Sequence, residues 1–232
     1  MTNINLLITG PIRPNIMYVN HAINYLKKLI DHNVIVFLCY WEDEKIDKNL
    51  IKNVDYLFNI NEPEEKDIFE NITGRTIQQR QLHPGIEHWT PRIYKMFYGI
   101  QKLVELIDNK SLIHNDDIVL RIRTDLYIED CNFNLFNNLL NNIDKNTIYN
   151  RFRRHSCDWF SISSYDIFKK IWLIKNDDEY NNTINHLFNA EAIITYKSKL
   201  NKINIIDIKN VIKLCICREF DNINQPKLQH FH

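Results

Sequence analysis

Ile118-Val119-Leu120-Arg121-Ile122-Arg123-Thr124-Asp125-Leu126-Tyr127-Ile128 sets apolar against charged and polar residues along most of its length. Read with period two, Leu120, Ile122, Thr124, Leu126 and Ile128 share one face of a strand. Arg121, Arg123, Asp125 and Tyr127 share the other. β-forming residues at both ends point to a strand deep in a sheet, yet three charges lie on one side of it. A buried charge is costly unless it is paired or meets a ligand. That face is therefore either an internal ladder of salt bridges or the floor of a site for a charged molecule.

The segments upstream supply the rest of a sheet. Ile4 to Thr9 reads as a buried strand ended by Gly10-Pro11, and Asn15 is placed to cap a helix over 16–32. Val34 to Tyr40 is a second unbroken apolar run. Strand, helix and strand at this spacing make a parallel βαβ unit. Ligands of such open sheets bind beyond the carboxyl ends of the strands, which places Thr9-Gly10-Pro11-Ile12-Arg13 and Tyr40-Trp41-Glu42-Asp43 on the binding edge. No G-x-G-x-x-G and no P-loop follows the first strand, so a nucleotide here must be held by side chains.

Further along, 55–60 reads as a strand. The polar connection over 61–89 is either a lid or a surface insertion. Thr90-Pro91 starts a helix reaching about 107, with Arg92, Lys95 and Lys102 on its polar face. That face is either simply solvated or brings Arg92 or Lys95 to a phosphate. A short helix over 134–143, strands over 146–152 and 159–163, and a helix over 165–175 capped by Ser164 follow. Asp158 precedes the aromatic strand and can pair with Arg153 or Arg154, or touch a substrate. In Asn189-Ala190-Glu191-Ala192 an acid sits among apolar neighbours, where desolvation raises its pKa and suits it to act as a base. Strands over 203–207 and 211–218 and a tail over 225–232 complete the chain.

The 232 residues suffice for one large α/β domain, expected to span 1–232. Twenty-nine basic and 29 acidic residues cancel, which argues against a general nucleic-acid or membrane-surface binder. The five cysteines form no CxxC pair, so reduced, buried thiols are expected rather than a zinc site or a disulfide framework. The start lacks a basic region ahead of an apolar one, and no apolar run approaches the roughly 20 residues of a spanning helix. A cytoplasmic location, in a bacterium or a virus-infected cell, is the matching expectation.

Arg-Ile-Arg-Thr-Asp-Leu, together with Leu6-Leu7-Ile8-Thr9-Gly10-Pro11-Ile12-Arg13, resembles the WavE-type lipopolysaccharide-synthesis proteins and related viral and bacterial glycosyltransferases of the GT-A fold. The resemblance implies a GT-A-like (Rossmann-like) single domain with a mostly parallel central sheet flanked by helices. In that fold an Asp-x-Asp-type motif ends a central strand and holds a divalent cation against a nucleotide-sugar diphosphate. Here the motif reads Arg123-Thr124-Asp125, which keeps only the second acid. The implied partners are a nucleotide-sugar donor, expected to be a UDP-sugar, and a glycan or lipid-linked acceptor.

Asp125 would then hold Mn²⁺ or Mg²⁺ in a hydrated cleft, with Arg121 placed deeper as scaffold. Arg121, Arg123 and Arg13 are also positioned by sequence to meet the diphosphate directly, beside Thr9, Gly10, Arg92 and Lys95. Glu191 or Asp158 is the candidate catalytic base. Two alternatives share these residues: a non-catalytic GT-A-like protein that binds a nucleotide or glycan, and a nucleotidyltransferase. The glycine-poor loop after the first strand weighs against the second.

Overall fold

In the computed structural model, residues 3–12, 15–42, 47–64, 90–152, 156–173, 190–222 and 225–230 are described. The organising element is a seven-stranded sheet. Its strands are β1 (Ile4–Thr9), β2 (Val34–Trp41), β3 (Tyr56–Ile60), β4 (Ile118–Arg123), β6 (Thr147–Phe152), β7 (Ser156–Ser164) and β8 (Asn204–Asp207). They lie in the order β3-β2-β1-β4-β7-β6-β8. β1, β2, β3 and β4 run parallel; β7 alone is antiparallel, between β4 and β6, and β8 pairs parallel with β6. The mostly parallel α/β architecture expected from the sequence is therefore present.

β1 lies inside the sheet and all six of its residues are buried, which is why its sequence runs Ile-Asn-Leu-Leu-Ile-Thr without alternation. Its one amide side chain is accounted for, since Asn5 donates to the carbonyl of Ile118 at 3.3 Å. Helix α1 (Ile16–Leu29) starts where expected, with the Asn15 side chain accepting from the Met17 amide. It packs on one face of the sheet with α3 (Phe133–Asn141). Helices α2 (Thr90–Asn109), α4 (Tyr165–Trp172) and α5 (Ala190–Leu200) cover the opposite face. The Ser164 side chain caps α4, as its position in the sequence suggested.

Two stretches differ from their sequence reading. The run from Ile118 to Ile128 is not one strand. It breaks at Thr124-Asp125, and β5 (Leu126–Cys131) leaves for a second sheet with β9 (Ile212–Asn222) and β10 (Gln225–His230), in the order β10-β9-β5. Apolar alternation continues through the break because Leu126 and Ile128 still enter the same core as Leu120 and Ile122, now from the small sheet. Within the stretch 225–232, expected as a tail, residues Gln225–His230 form β10, antiparallel to β9. Pro226 is tolerated there because β10 is an edge strand. Most of the connection expected as a lid or insertion, residues 65–89, lies outside the described residues.

Candidate functional site

The break between β4 and β5 is what builds the site. Strand register sets Thr9 opposite Arg123, and Leu7 opposite Arg121, so the carboxyl ends of β1 and β4 finish together. The loop leaving β1 is tied to the turn leaving β4, because the Thr124 hydroxyl donates to the Pro11 carbonyl. Gly10 carries φ +125°, a backbone conformation that side chains disfavour, and a Cβ there would meet Thr124 Oγ1 at 3.4 Å. Thr124 is thus a positioning residue that periodicity had assigned to the core face.

Turning at Thr124 swings the Asp125 carboxylate back over the strand it has just left. Arg123 grips it with two hydrogen bonds, Nε to Oδ1 at 2.9 Å and Nη2 to Oδ2 at 2.8 Å. The same guanidinium reaches β7, where Nη1 donates to Asp158 Oδ2 at 3.1 Å. Asp158 therefore finds its cation on β4; the alternative partners Arg153 and Arg154 lie outside the described residues. Burial alone would lower the Arg123 guanidinium, but the charges of Asp125 and Asp158 outweigh it and hold it above its ordinary value.

Arg121 lies one layer deeper and is 0% exposed. Its Nη1 donates to the Asp158 main-chain carbonyl, and its guanidinium carbon lies 4.3 Å from the centre of the Trp172 ring on α4. Its Nε and Nη2 have no hydrogen-bond partner. Burial lowers it to about 10, against the raising effect of Asp158, so it stays charged at neutral pH. Ser161 faces it across β7 and Asn150 follows on β6, giving a polar row under the helices of that face. No feature of the local sequence around Trp172 identifies it as a neighbour of Arg121; only the helix packing brings it there.

Glu191 closes the arrangement from the first turn of α5. Burial first, then the charge of Asp158, raise its pKa, while Arg123 partly offsets them. The expected direction of its shift is thus present, with Asp158 as an added cause. Burial also pushes the thiols of Cys39, Cys131 and Cys157 up to about 12, so none is a ready nucleophile near neutral pH.

The remaining site expectations are placed as follows. Thr9 is buried at the end of β1 and its hydroxyl lacks a hydrogen-bond partner. Lys95, on α2, pairs with Glu62 beyond the end of β3 at 2.6 Å, with β2 and β1 between it and β4. Arg13 and the side chain of Arg92 lie outside the described residues.

The donor set does not fit a divalent cation. Mg²⁺ and Mn²⁺ need several oxygen ligands. Both Asp125 oxygens are already committed to Arg123, which itself stands in place of a second motif acid. Among the described residues no group of three or more His, Cys, Asp or Glu is arranged to hold a metal. No helix among them is long and apolar enough to cross a membrane.

No protein-family model and no curated protein sequence matches the chain. Similar solved structures include a 4-diphosphocytidyl-2C-methyl-D-erythritol synthase, at 6% identity and TM-score 0.47, covering 89% of this chain and 90% of that one. Mouse xyloside xylosyltransferase 1 matches at 9% identity and TM-score 0.43, over 90% of this chain and 85% of that one. The galactosyltransferase LgtC, solved with donor and acceptor sugar analogs, matches at 9% identity and TM-score 0.44, over 89% and 73%. Likeness at this level does not bear on activity.

Proposed function

We propose that the protein is a transferase of the GT-A type that uses a nucleotide-sugar donor and passes the sugar to a glycan or lipid-linked acceptor. Membership of the WavE-type group belongs to the same proposal and rests on the Leu6–Arg13 and Arg-Ile-Arg-Thr-Asp-Leu motifs. The observation that carries the reading is the convergence of Arg123, Asp125, Asp158 and Glu191, from β4, its turn, β7 and α5, at the carboxyl end of the sheet.

Sugar transfer requires an acceptor hydroxyl to attack the anomeric carbon while the bond from that carbon to the diphosphate oxygen breaks. Glu191, with its raised pKa, takes the hydroxyl proton. Asp158, held by Arg123, orients the acceptor or the sugar hydroxyls. Arg123 faces the negative charge that develops on the departing diphosphate. Arg121 is too deep to touch substrate and supports Asp158 through its main chain.

The test is product analysis by ion-exchange chromatography with UDP-, GDP- and dTDP-sugars and saccharide acceptors. The expected product is a free nucleoside diphosphate. Glu191→Gln should reduce turnover about 100-fold or more, as for loss of a positioned base. Release of pyrophosphate from a nucleoside triphosphate and a sugar phosphate would instead establish nucleotidyl transfer and overturn the reading.

A further inference from the structure

We infer that the cluster binds the diphosphate of its nucleotide without a divalent cation, the Arg123 guanidinium standing where an ion would otherwise sit. The inference rests on the nucleotide-sugar reading above and adds how the leaving group's charge is met. Its first ground is geometric. An ion chelated by both Asp125 oxygens would have to displace two hydrogen bonds of 2.9 and 2.8 Å from a guanidinium whose planar fork matches the carboxylate. It would then sit beside the positive charge it had displaced.

Charge balance is the second ground. Arg121 and Arg123 already answer Asp125 and Asp158, so these four residues together hold no surplus of negative charge to attract a dication. An anion, in contrast, would find a cation backed by a second one fixed beneath it.

The third ground is spare bonding capacity. A guanidinium has five N–H donors, and Arg123 commits three of them to Asp125 and Asp158. Two remain, on a side chain that is 27% exposed. Two donors on one planar group suit two phosphate oxygens. Asp125 and Asp158 act here as positioning residues that hold the guanidinium flat and aimed, while Arg121, clamped between the Asp158 carbonyl and Trp172, fixes the floor.

Calorimetric titration of the full chain with UDP and with inorganic pyrophosphate, in EDTA and then in Mn²⁺, tests the inference. Affinity should be the same in both buffers. Arg123→Gln leaves two carboxylates facing each other and risks misfolding, so Arg123→Lys is the working variant. It keeps the charge, loses the fork, and should bind UDP about tenfold more weakly, the equivalent of one charge-assisted hydrogen bond. Electron paramagnetic resonance of Mn²⁺ without nucleotide gives an independent arm, in which the aqueous ion's signal should be unchanged by the protein.

UDP binding that requires Mn²⁺, or ion binding to the free protein that Asp125→Asn abolishes, overturns this inference and leaves the nucleotide reading standing. Undiminished UDP affinity in Arg123→Lys overturns the role of the guanidinium. Absence of UDP and pyrophosphate binding in either buffer overturns both the inference and the nucleotide reading.

Discussion

The two faces of β4 are built on opposite principles. On one face Leu120 and Ile122 enter a core with α1 residues and have no exposure at all. On the other, in the same six-residue strand, Arg121 and Arg123 carry full charges into the sheet. The apolar face is stable for reasons of area and packing alone, and an apolar side chain of similar volume and shape would serve at modest cost. The charged face is stable only as a set, because each guanidinium depends on partners delivered by β7, α4 and the β4–β5 turn. Such a set is a poor way to gain stability and a good way to fix one arrangement of charges.

The sharpest way to break this contrast is on the apolar side. Leu120→Ala should destabilise the protein by about 2–5 kcal/mol through lost burial and a residual cavity. Urea unfolding measures it, and the folded fraction should bind nucleotide as before. A loss of binding by the folded protein would mean that the two faces are not independent.

Next in size is Asp125→Asn. Removing one partner of a buried pair costs about 3–5 kcal/mol, but Arg123 keeps Asp158 and is partly exposed, so about 2 kcal/mol is expected. An unchanged urea midpoint would show that Asp125 is not part of the internal set. This expectation differs from the hydrated, metal-holding Asp125 suggested by the motif, because the turn returns the carboxylate to Arg123 instead of presenting it to solvent.

The smallest effect concerns Glu191 and is a slope rather than a loss. Its folded pKa is raised above the ordinary value of 4.5. The protonated carboxyl therefore favours the folded state below 4.5, and this contribution is lost as pH rises through the raised value. Stability of the natural protein should fall across that window relative to Glu191→Gln. Parallel pH profiles for the two would place Glu191 outside the charged set.

The apolar face was legible in the sequence to a degree that the charged face was not. Unbroken runs such as Ile4–Thr9 and Val34–Tyr40 announce parallel strands covered on both sides, and Asn15 and Ser164 announce helix starts, because these signals are local. The presence of charge on β4 and the candidacy of Asp158 and Glu191 were equally readable. Who pairs with whom was not. Arg123 meets Asp158 from 35 residues away, and Trp172 reaches Arg121 only through the packing of α4. The break at Thr124 left no trace either, since it uses neither Gly nor Pro and preserves the alternation on both sides.

The order of strands also governs when the site can exist. β1 pairs with β4 across a long interval of chain, and Asn5 bonds to a residue 113 positions away. During synthesis β1, β2 and β3 emerge first, so one long edge of the apolar β1 waits unpaired until β4 arrives. Open edges of this kind invite pairing with other chains, and late long-range closure slows folding. The strand that seals that edge is the one bearing Arg121 and Arg123, so two cations enter the sheet before β7 brings the Asp158 that answers them.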